Sequence, residues 1–278
     1  MATMKFNDFN DFISKCARNA GIIEESPDNI VKCRILGKDT SIFTYKNELG
    51  QGIHLIRCGY WEPSESFIAM NLIQPDNVVV DIGACYGYYT VLAASIIGKS
   101  GSGKVISVEP NPKVYSLLEK TVAPYRSVYL CNKAIWNTTG EIVSFFQNDS
   151  RNIGGSRVFD GCDLKVETIT LDDLVKDFPR VDFVKMDVEA YEDRVWAGAT
   201  DTFKRHRPII MMELTPSGYE YYENAEGFIS KIYSDGYVIF RIYSSGFFLI
   251  WNPMKEEMDK IDNTNLLLIP KERINAQV

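Results

Sequence analysis

The sequence predicts an α/β fold: a doubly wound, largely parallel sheet with a small N-terminal extension. Three observations predict it. The stretch 78–90 reads VVVDIGACYGYYT, in which Val78, Val79 and Val80 run into Asp81, followed by Gly83, Ala84, Gly87 and the apolar run 91–97. Such an apolar run is the pattern of a strand buried on both faces, and closely spaced small residues let the chain turn sharply while a ligand approaches its backbone. Strand and helix patterns then alternate as far as Cys131, giving the βαβαβ half of a doubly wound fold. Finally, five successive strand ends carry polar groups: Asp81, Glu109, Asn132, Asp187 with Glu189, and Glu213. The fold places these ends on one rim, where open α/β sheets bind ligands.

The 278 residues suit one large domain or one domain with an extension. Residues 1–58 form the extension and 59–278 the main domain. The net charge of −7 comes without a basic block, which argues against a nucleic-acid partner. Six scattered cysteines, Cys16, Cys33, Cys58, Cys85, Cys131 and Cys162, form no C-x-x-C pair and read as reduced thiols of a cytoplasmic protein. The first residues lack an apolar signal core, and no apolar run nears the ~20 residues of a membrane span. With only His54 and His206, a histidine-based metal site is not expected.

In chain order, Phe9, Phe12, Ile13, Cys16 and Ala17 recur at helical spacing, and Gly21 ends that helix. Ranges 30–36, 41–45 and 53–58 have strand character and are separated by glycine turns. They predict a small layer beside the core that packs, covers a substrate or mediates a homodimer. Residues 67–73 form a short helix before the strand at 78–82. Residues 104–108 form the second strand, ending near Glu109. Asn111 with Pro112 is a helix start, an N-cap followed by proline at the first helical position. A third strand covers 127–131, and two more lie at 141–147 and 165–169. Thr170 with Asp173 caps a helix over 171–177. Strands at 181–186 and 208–212 flank a helix at 189–200. A helix at 222–234 and strands at 237–242, 247–251 and 266–269 finish the sheet, the last pairings antiparallel. Trp136, Trp196 and Trp251 read as core.

Glu109 stands at the end of the second strand, where a carboxylate can accept both hydroxyls of a ribose. A dinucleotide fingerprint requires G-x-G-x-x-G for backbone contact with a pyrophosphate. Cys85 occupies the place of the second glycine, and no phosphate-binding G-x-x-x-x-G-K-[ST] loop is present. The expected cofactor therefore has a ribose but no phosphate. S-adenosyl-L-methionine fits, because an acidic rim suits its sulfonium and ammonium.

The residues also carry a family resemblance. The chain resembles the FkbM family of class I S-adenosylmethionine-dependent methyltransferases. The resemblance spans about residues 59–270. It rests on VVVDIGACYGYYT, VISVEPNP at 105–112, NKAIWNTTGEI at 132–142, NIGGS at 152–156, VETITLDDL at 166–174, VDFVKMDVEAYE at 181–192, RPIIMMEL at 207–214 and NLLLIP at 265–270. It implies a Rossmann-like, doubly wound sheet of seven strands, six parallel and one antiparallel. By position it implies that Asp81, Gly83, Ala84, Tyr86 and Gly87 line the methionine side of the cofactor and that Glu109 binds the ribose. Pro110, Asn111, Asn132 and Ala134 would surround the adenine, Glu62 or Glu65 would approach from the preceding segment, and Asp187 and Glu189 would face the reacting methyl. Ala190 stands where the family usually has glycine, a departure expected to matter little. Thr215 stands where many relatives have histidine before proline, which leaves the base open among Asp187, Glu189 and Glu213.

Methyl transfer needs a nucleophile aligned with an electrophilic methyl, and a hydroxyl acceptor needs a base. Asp187, Glu189 and Glu213 are candidates, with Lys185 beside Asp187 on the same strand face. A divalent cation such as magnesium, held by Asp187 and Glu213, would serve the same end but is not expected. Asn152, Gly154, Gly155 and Ser156 form a loop on the acceptor side, and Tyr219, Tyr221 and Tyr222 follow the fifth strand. The expected activity is O-methylation of a sugar, glycan or secondary metabolite, with S-adenosyl-L-homocysteine as product. The alternatives are N- or carboxyl methylation on the same scaffold, or a non-catalytic methyltransferase-like binding protein. A nicotinamide oxidoreductase is disfavoured by Cys85.

Overall fold

The computed structural model describes residues 6–37, 39–98, 101–147, 156–158, 161–214, 225–244, 246–252 and 264–275. The chain begins with α1 (Phe6–Asn19) and three antiparallel strands, β1 (Gly21–Glu25), β2 (Ile30–Ile35) and β3 (Thr40–Tyr45). Two helices follow, α2 (Gln51–Cys58) and α3 (Pro63–Leu72). The strand expected at 53–58 is therefore a helix. Gly59 closes it in the left-handed conformation (φ 71°), its N–H donating to the Leu55 carbonyl, an ending that favours glycine. The strand at 21–25 was not anticipated, since its polar Glu24 and Glu25 mask the strand pattern.

The main sheet starts with β4 (Val78–Ile82), all five residues of which are buried. It is followed by α4 (Tyr88–Ile97), β5 (Lys104–Val108), α5 (Pro112–Val122) and β6 (Val128–Cys131). Asn111 caps α5 as its sequence predicts, its side chain accepting from the Lys113 N–H at 3.1 Å. The chain then leaves the sheet through β7 (Ala134–Ile135), β8 (Ile142–Phe146), β9 (Arg157–Val158) and β10 (Leu164–Ile169), which pair as a separate sheet in the order β7-β10-β8-β9. Thr170 caps α6 (Leu171–Leu174), accepting from the Asp173 N–H. Next come β11 (Phe183–Met186), α7 (Glu192–Ala197), α8 (Thr200–His206) and β12 (Ile209–Leu214). The single helix expected over 189–200 is thus two short ones. Gly198 separates them, packed so tightly that a Cβ there would lie 2.0 Å from the Trp136 carbonyl oxygen. The chain ends with α9 (Ala225–Ser234), β13 (Tyr237–Ile242), β14 (Phe248–Ile250), β15 (Thr264–Pro270) and α10 (Lys271–Asn275).

The main sheet runs β14-β13-β15-β12-β11-β4-β5-β6. From β6 to β12 all pairings are parallel, and β15 pairs antiparallel with both β12 and β13. Eight strands replace the expected seven because β14 pairs antiparallel with β13 at the edge. One face packs on α7, α8 and α9 through residues including Val80, Val184, Trp196 and Phe228. The other packs on α3, α4 and the N-terminal layer, where Ile35, Ile42 and Leu55 share a buried cluster with Val79, Leu92 and Phe183. Trp196 and Trp251 lie in the first of these cores. Among the described residues no helix is long and apolar enough to cross a membrane.

Strand alternation builds the site. Val79, Val105, Phe183, Met211 and Leu267 point to the α3/α4 face. Two residues along each strand, on that same face, stand Asp81, Ser107, Lys185 and Glu213, with Asn265 two residues before Leu267 on the antiparallel β15. The pairings Asp81↔Ser107 and Lys185↔Asp81 put three of these residues in one row at the carboxyl end of the parallel strands, and Glu213↔Asn265 stands two residues further along, because Lys185 pairs with Met211.

Candidate active site

The polar row borders a cavity of 460 Å³ over the glycine corner, a size typical of small-molecule sites. Gly83 adopts φ 78°, and a Cβ there would lie 1.8 Å from the Asp187 carbonyl oxygen. Only glycine permits this approach of β4's end to β11's end. The Gly83 and Ala84 N–H groups both donate to the Val108 carbonyl at 3.0 Å. These bonds hold the corner against β5.

Glu109 is buried beneath that corner. Its carboxylate accepts from the Cys85 N–H at 2.9 Å and the Asn111 N–H at 2.8 Å. Burial outweighs these bonds and pushes its pKa up to about 7. Asn132 donates to the Glu109 and Pro110 carbonyls at 2.7 and 3.2 Å, fixing the segment that carries the carboxylate. Asp81 is also buried. It accepts from the Thr90 hydroxyl at 2.6 Å, which lies 2.7 Å from Ser107, and burial raises its pKa to about 6.

Lys185 is the charge centre. Its side chain is 2% exposed, and its Nζ lies 3.3 Å from Asp187 and 3.8 Å from Glu62, over the Tyr89 ring at 5.2 Å. Burial works against its charge, yet Asp187, Glu62, Glu213 and Asp81 hold its pKa above the ordinary lysine value. Glu62 in turn accepts from the Tyr89 hydroxyl at 2.8 Å and from Asn265 at 3.3 Å. Asp187, Glu189 and Glu213 each bring a carboxylate oxygen within 4.8 Å of the others. Burial, then the neighbouring Asp187, pushes Glu189 up to about 7 and Glu213 up to about 8. Glu189 (φ 55°) and Ala190 (φ 80°) are both left-handed. The departure at Ala190 is therefore consequential: an alanine holds a conformation that glycine adopts without strain.

The cavity wall contains Glu62, Asp81, Gly83, Ala84, Glu109, Pro110, Ala134, Ser156, Lys185, Asp187, Glu189 and Glu213. Several expected contacts lie elsewhere. Tyr86 is fully buried and stacks edge-on against Tyr45, because the residue after the turn points into the N-terminal layer. Gly87 opens α4, where a Cβ would lie 2.6 Å from Leu118. Asn111 and Asn132 support Glu109 rather than line the space. Glu65 borders a neighbouring cavity with Arg241 and Asn265, and burial with the nearby Glu62 raises its pKa to about 7. Trp136, expected in the core, lines the cavity and stacks on Tyr191 at 5.1 Å. Asn152, Gly154, Gly155, Thr215, Tyr219, Tyr221 and Tyr222 lie outside the described residues. Gly50, Gln51, Trp61, Tyr88 and Tyr89 also line the space. Tyr88 and Tyr89 belong to the 78–90 stretch and Trp61 adjoins Glu62, whereas no sequence feature marks Gly50 and Gln51 as site residues.

The raised carboxyls set a pH dependence. Above about pH 4.5 the unfolded chain has released these protons, while the folded chain keeps them until about pH 6 at Asp81, 7 at Glu109 and Glu189, and 8 at Glu213. The unfolded state therefore binds fewer protons across that window, and stability falls as pH rises. The ligand-free protein is expected to melt at a higher temperature at pH 5.5 than at pH 8.5. A flat or rising profile would contradict the burial of these groups.

A parallel α/β sheet with a glycine corner, a carboxylate at the next strand end and a concave acidic rim defines an α/β protein of the doubly wound class, in which ligands bind at the carboxyl ends of the strands. The family model for the methyltransferase FkbM domain matches residues 81–239, more than half of the chain. The chain belongs to the FkbM methyltransferase family. A methyltransferase FkbM structure from Methylobacillus flagellatus KT is similar at 16% identity and TM-score 0.47, covering 70% of this chain and 44% of that one. This chain thus matches less than half the length of that protein. Aeropyrum pernix fibrillarin, solved with natively bound S-adenosyl-L-methionine, is similar at 13% identity and TM-score 0.46, covering 90% of this chain and 100% of that one. Fibrillarin from Methanococcus jannaschii, a pre-rRNA processing protein, is similar at 13% identity and TM-score 0.45, covering 89% and 96%. No curated protein matches significantly.

Proposed function

We propose that the protein is an S-adenosyl-L-methionine-dependent methyltransferase that methylates a hydroxyl of a sugar, glycan or secondary metabolite. The observation that carries this reading is the triad of Asp187, Glu189 and Glu213, gathered within 4.8 Å in the same cavity as Glu109. The donor set fits the cofactor: Glu109 is held by backbone N–H groups on both oxygens, leaving lone pairs for a ribose diol, and Asp81, Asp187 and Glu62 suit a cation. When bound, the cofactor supplies an electrophilic methyl group.

The chain's own residues do the rest. Lys185 neutralises Asp187 and Glu62 and fixes their positions. Glu213, raised to about 8, has a basicity near the operating pH, where a general base is most effective, and it takes the acceptor's hydroxyl proton. Trp136 and Tyr191, tilted 45° to each other, offer aromatic surface to a sugar or aromatic acceptor. The net charge of −7 supports an acceptor that is not a nucleic acid, and the site acts in the cytoplasm.

Stabilisation against heat by S-adenosylhomocysteine but not by NAD tests the cofactor; the reverse result ends the reading. Glu213→Gln is expected to leave cofactor affinity within about twofold while kcat falls by about 100-fold or more. Unchanged turnover would remove Glu213 as the base. Turnover insensitive to EDTA supports proton transfer to a carboxylate, whereas loss restored by magnesium assigns the same oxygens to a cation. A methyl-transfer screen against nucleotide sugars, glycolipids and glycans identifies the acceptor.

A further inference from the structure

One wall of the cavity does not come from the main sheet. Gly50 and Gln51, between β3 and α2, line it beside Cys85 and Glu109. Their turn is held from behind by Glu48, which is fully buried. The Glu48 carboxylate accepts from the Gly50 N–H at 2.8 Å and from the Gly52 N–H, while the Ile53 N–H donates to the Glu48 carbonyl at 2.9 Å. A Cβ on Gly52 would lie 2.6 Å from the Thr44 hydroxyl. The turn is therefore close-packed, and Gln51 is set at the cavity wall. Its Oε1 is buried without a hydrogen-bond partner among the described residues. Buried acceptors are nearly always paired, so this one points to a group supplied by a ligand.

The chemistry of that group follows from the rest of the wall. Glu62, Asp81 and Asp187 suit an ammonium or sulfonium, and Glu109 suits a ribose diol. None of these carboxylates suits a carboxylate, and the two cations in the wall are engaged elsewhere: Lys185 with Asp187 and Glu62, and Arg157 on the Glu189 side. A primary amide presents a donor and an acceptor side by side, a match for an α-amino acid zwitterion: Nε2 donates to the carboxylate and Oε1 accepts from the ammonium. The match holds for either orientation of the amide.

We infer that Gln51 grips the amino-acid end of the cofactor, and that the N-terminal layer thereby completes the cofactor site. This inference rests on the S-adenosyl-L-methionine reading above. It makes residues 1–58 part of the binding machinery as well as a packing layer.

Calorimetric titration with S-adenosylhomocysteine and with 5′-methylthioadenosine, which lacks the amino-acid end, provides the test. The wild-type protein is expected to bind both. Gln51→Ala should lose tenfold or more in affinity for S-adenosylhomocysteine and less than twofold for methylthioadenosine. Gln51→Glu should weaken S-adenosylhomocysteine further, because its charge repels the ligand carboxylate. Melting curves of both variants, matched to wild type, confirm that they fold. If Gln51→Ala binds S-adenosylhomocysteine like the wild type, or loses both ligands equally, the inference fails while the cofactor reading stands. If the wild type binds neither ligand, the cofactor reading itself fails.

Discussion

Substituting Glu109→Ala is expected to abolish measurable binding of S-adenosyl-L-methionine and S-adenosylhomocysteine. Two charge-assisted hydrogen bonds to a ribose contribute about 1.5–3 kcal/mol each, so their loss reduces affinity by at least about 100-fold. The substitution also removes the acceptor of the Cys85 and Asn111 N–H groups. Leaving two N–H groups unpaired costs roughly 2–6 kcal/mol of stability. Glu109→Gln separates the two effects, because it retains one acceptor oxygen and the side chain's shape. Calorimetry on Glu109→Gln is expected to show the affinity loss with a smaller drop in melting temperature. Wild-type affinity in both variants would remove Glu109 from the cofactor site.

Lys185→Met is expected to cost about 3–5 kcal/mol of stability, the usual consequence of removing one partner from a buried ion pair. The methionine fills the lysine's volume but leaves Asp187 and Glu62 without their buried cation. Asp81, Glu189 and Glu213, whose raised pKa values Lys185 pulls down, then hold their protons to higher pH. The variant should melt roughly 10 °C below wild type at pH 8 and regain part of that loss at pH 5.5. A loss independent of pH would mean that Lys185 contributes packing rather than charge. A variant as stable as wild type would contradict the burial and pairing of Lys185. Methyl-transfer activity should fall with it, since Asp187 and Glu62 lose the group that positions them.

The site was partly legible before the fold was known. Asp81, Glu109, Asp187, Glu189 and Glu213 each follow an apolar strand run, and parallel α/β topology necessarily puts such positions on one rim. Lys185 and Asp187 share a strand face because side chains alternate. A lone tryptophan carries no mark of the cavity it borders, so the sequence alone places Trp136 in the core. The resemblance implies Tyr86 at the cofactor, and the corner's sequence does not reveal that the chain, after a left-handed Cys85 (φ 50°), turns this side chain away from it. Residues 53–58, at the position of α2, match a strand or a helix equally, because apolar residues in so short a run fit either period.

By itself, the sequence determined the local events: buried strands, the glycine corner, the caps at Asn111 and Thr170, and membership of the polar rim. Those follow from hydrophobic pattern, steric freedom and side-chain chemistry within a few residues. Only the tertiary structure decided which distant segments complete the site. It set Glu62 and Asn265, 203 positions apart, in a hydrogen bond, laid Lys185 beneath two carboxylates, and carried Gln51 from the N-terminal layer to the cavity beside Glu109. The reason is physical: these contacts arise from packing α2, α3 and β15 against the sheet, and long-range packing leaves no period or spacing in the chain.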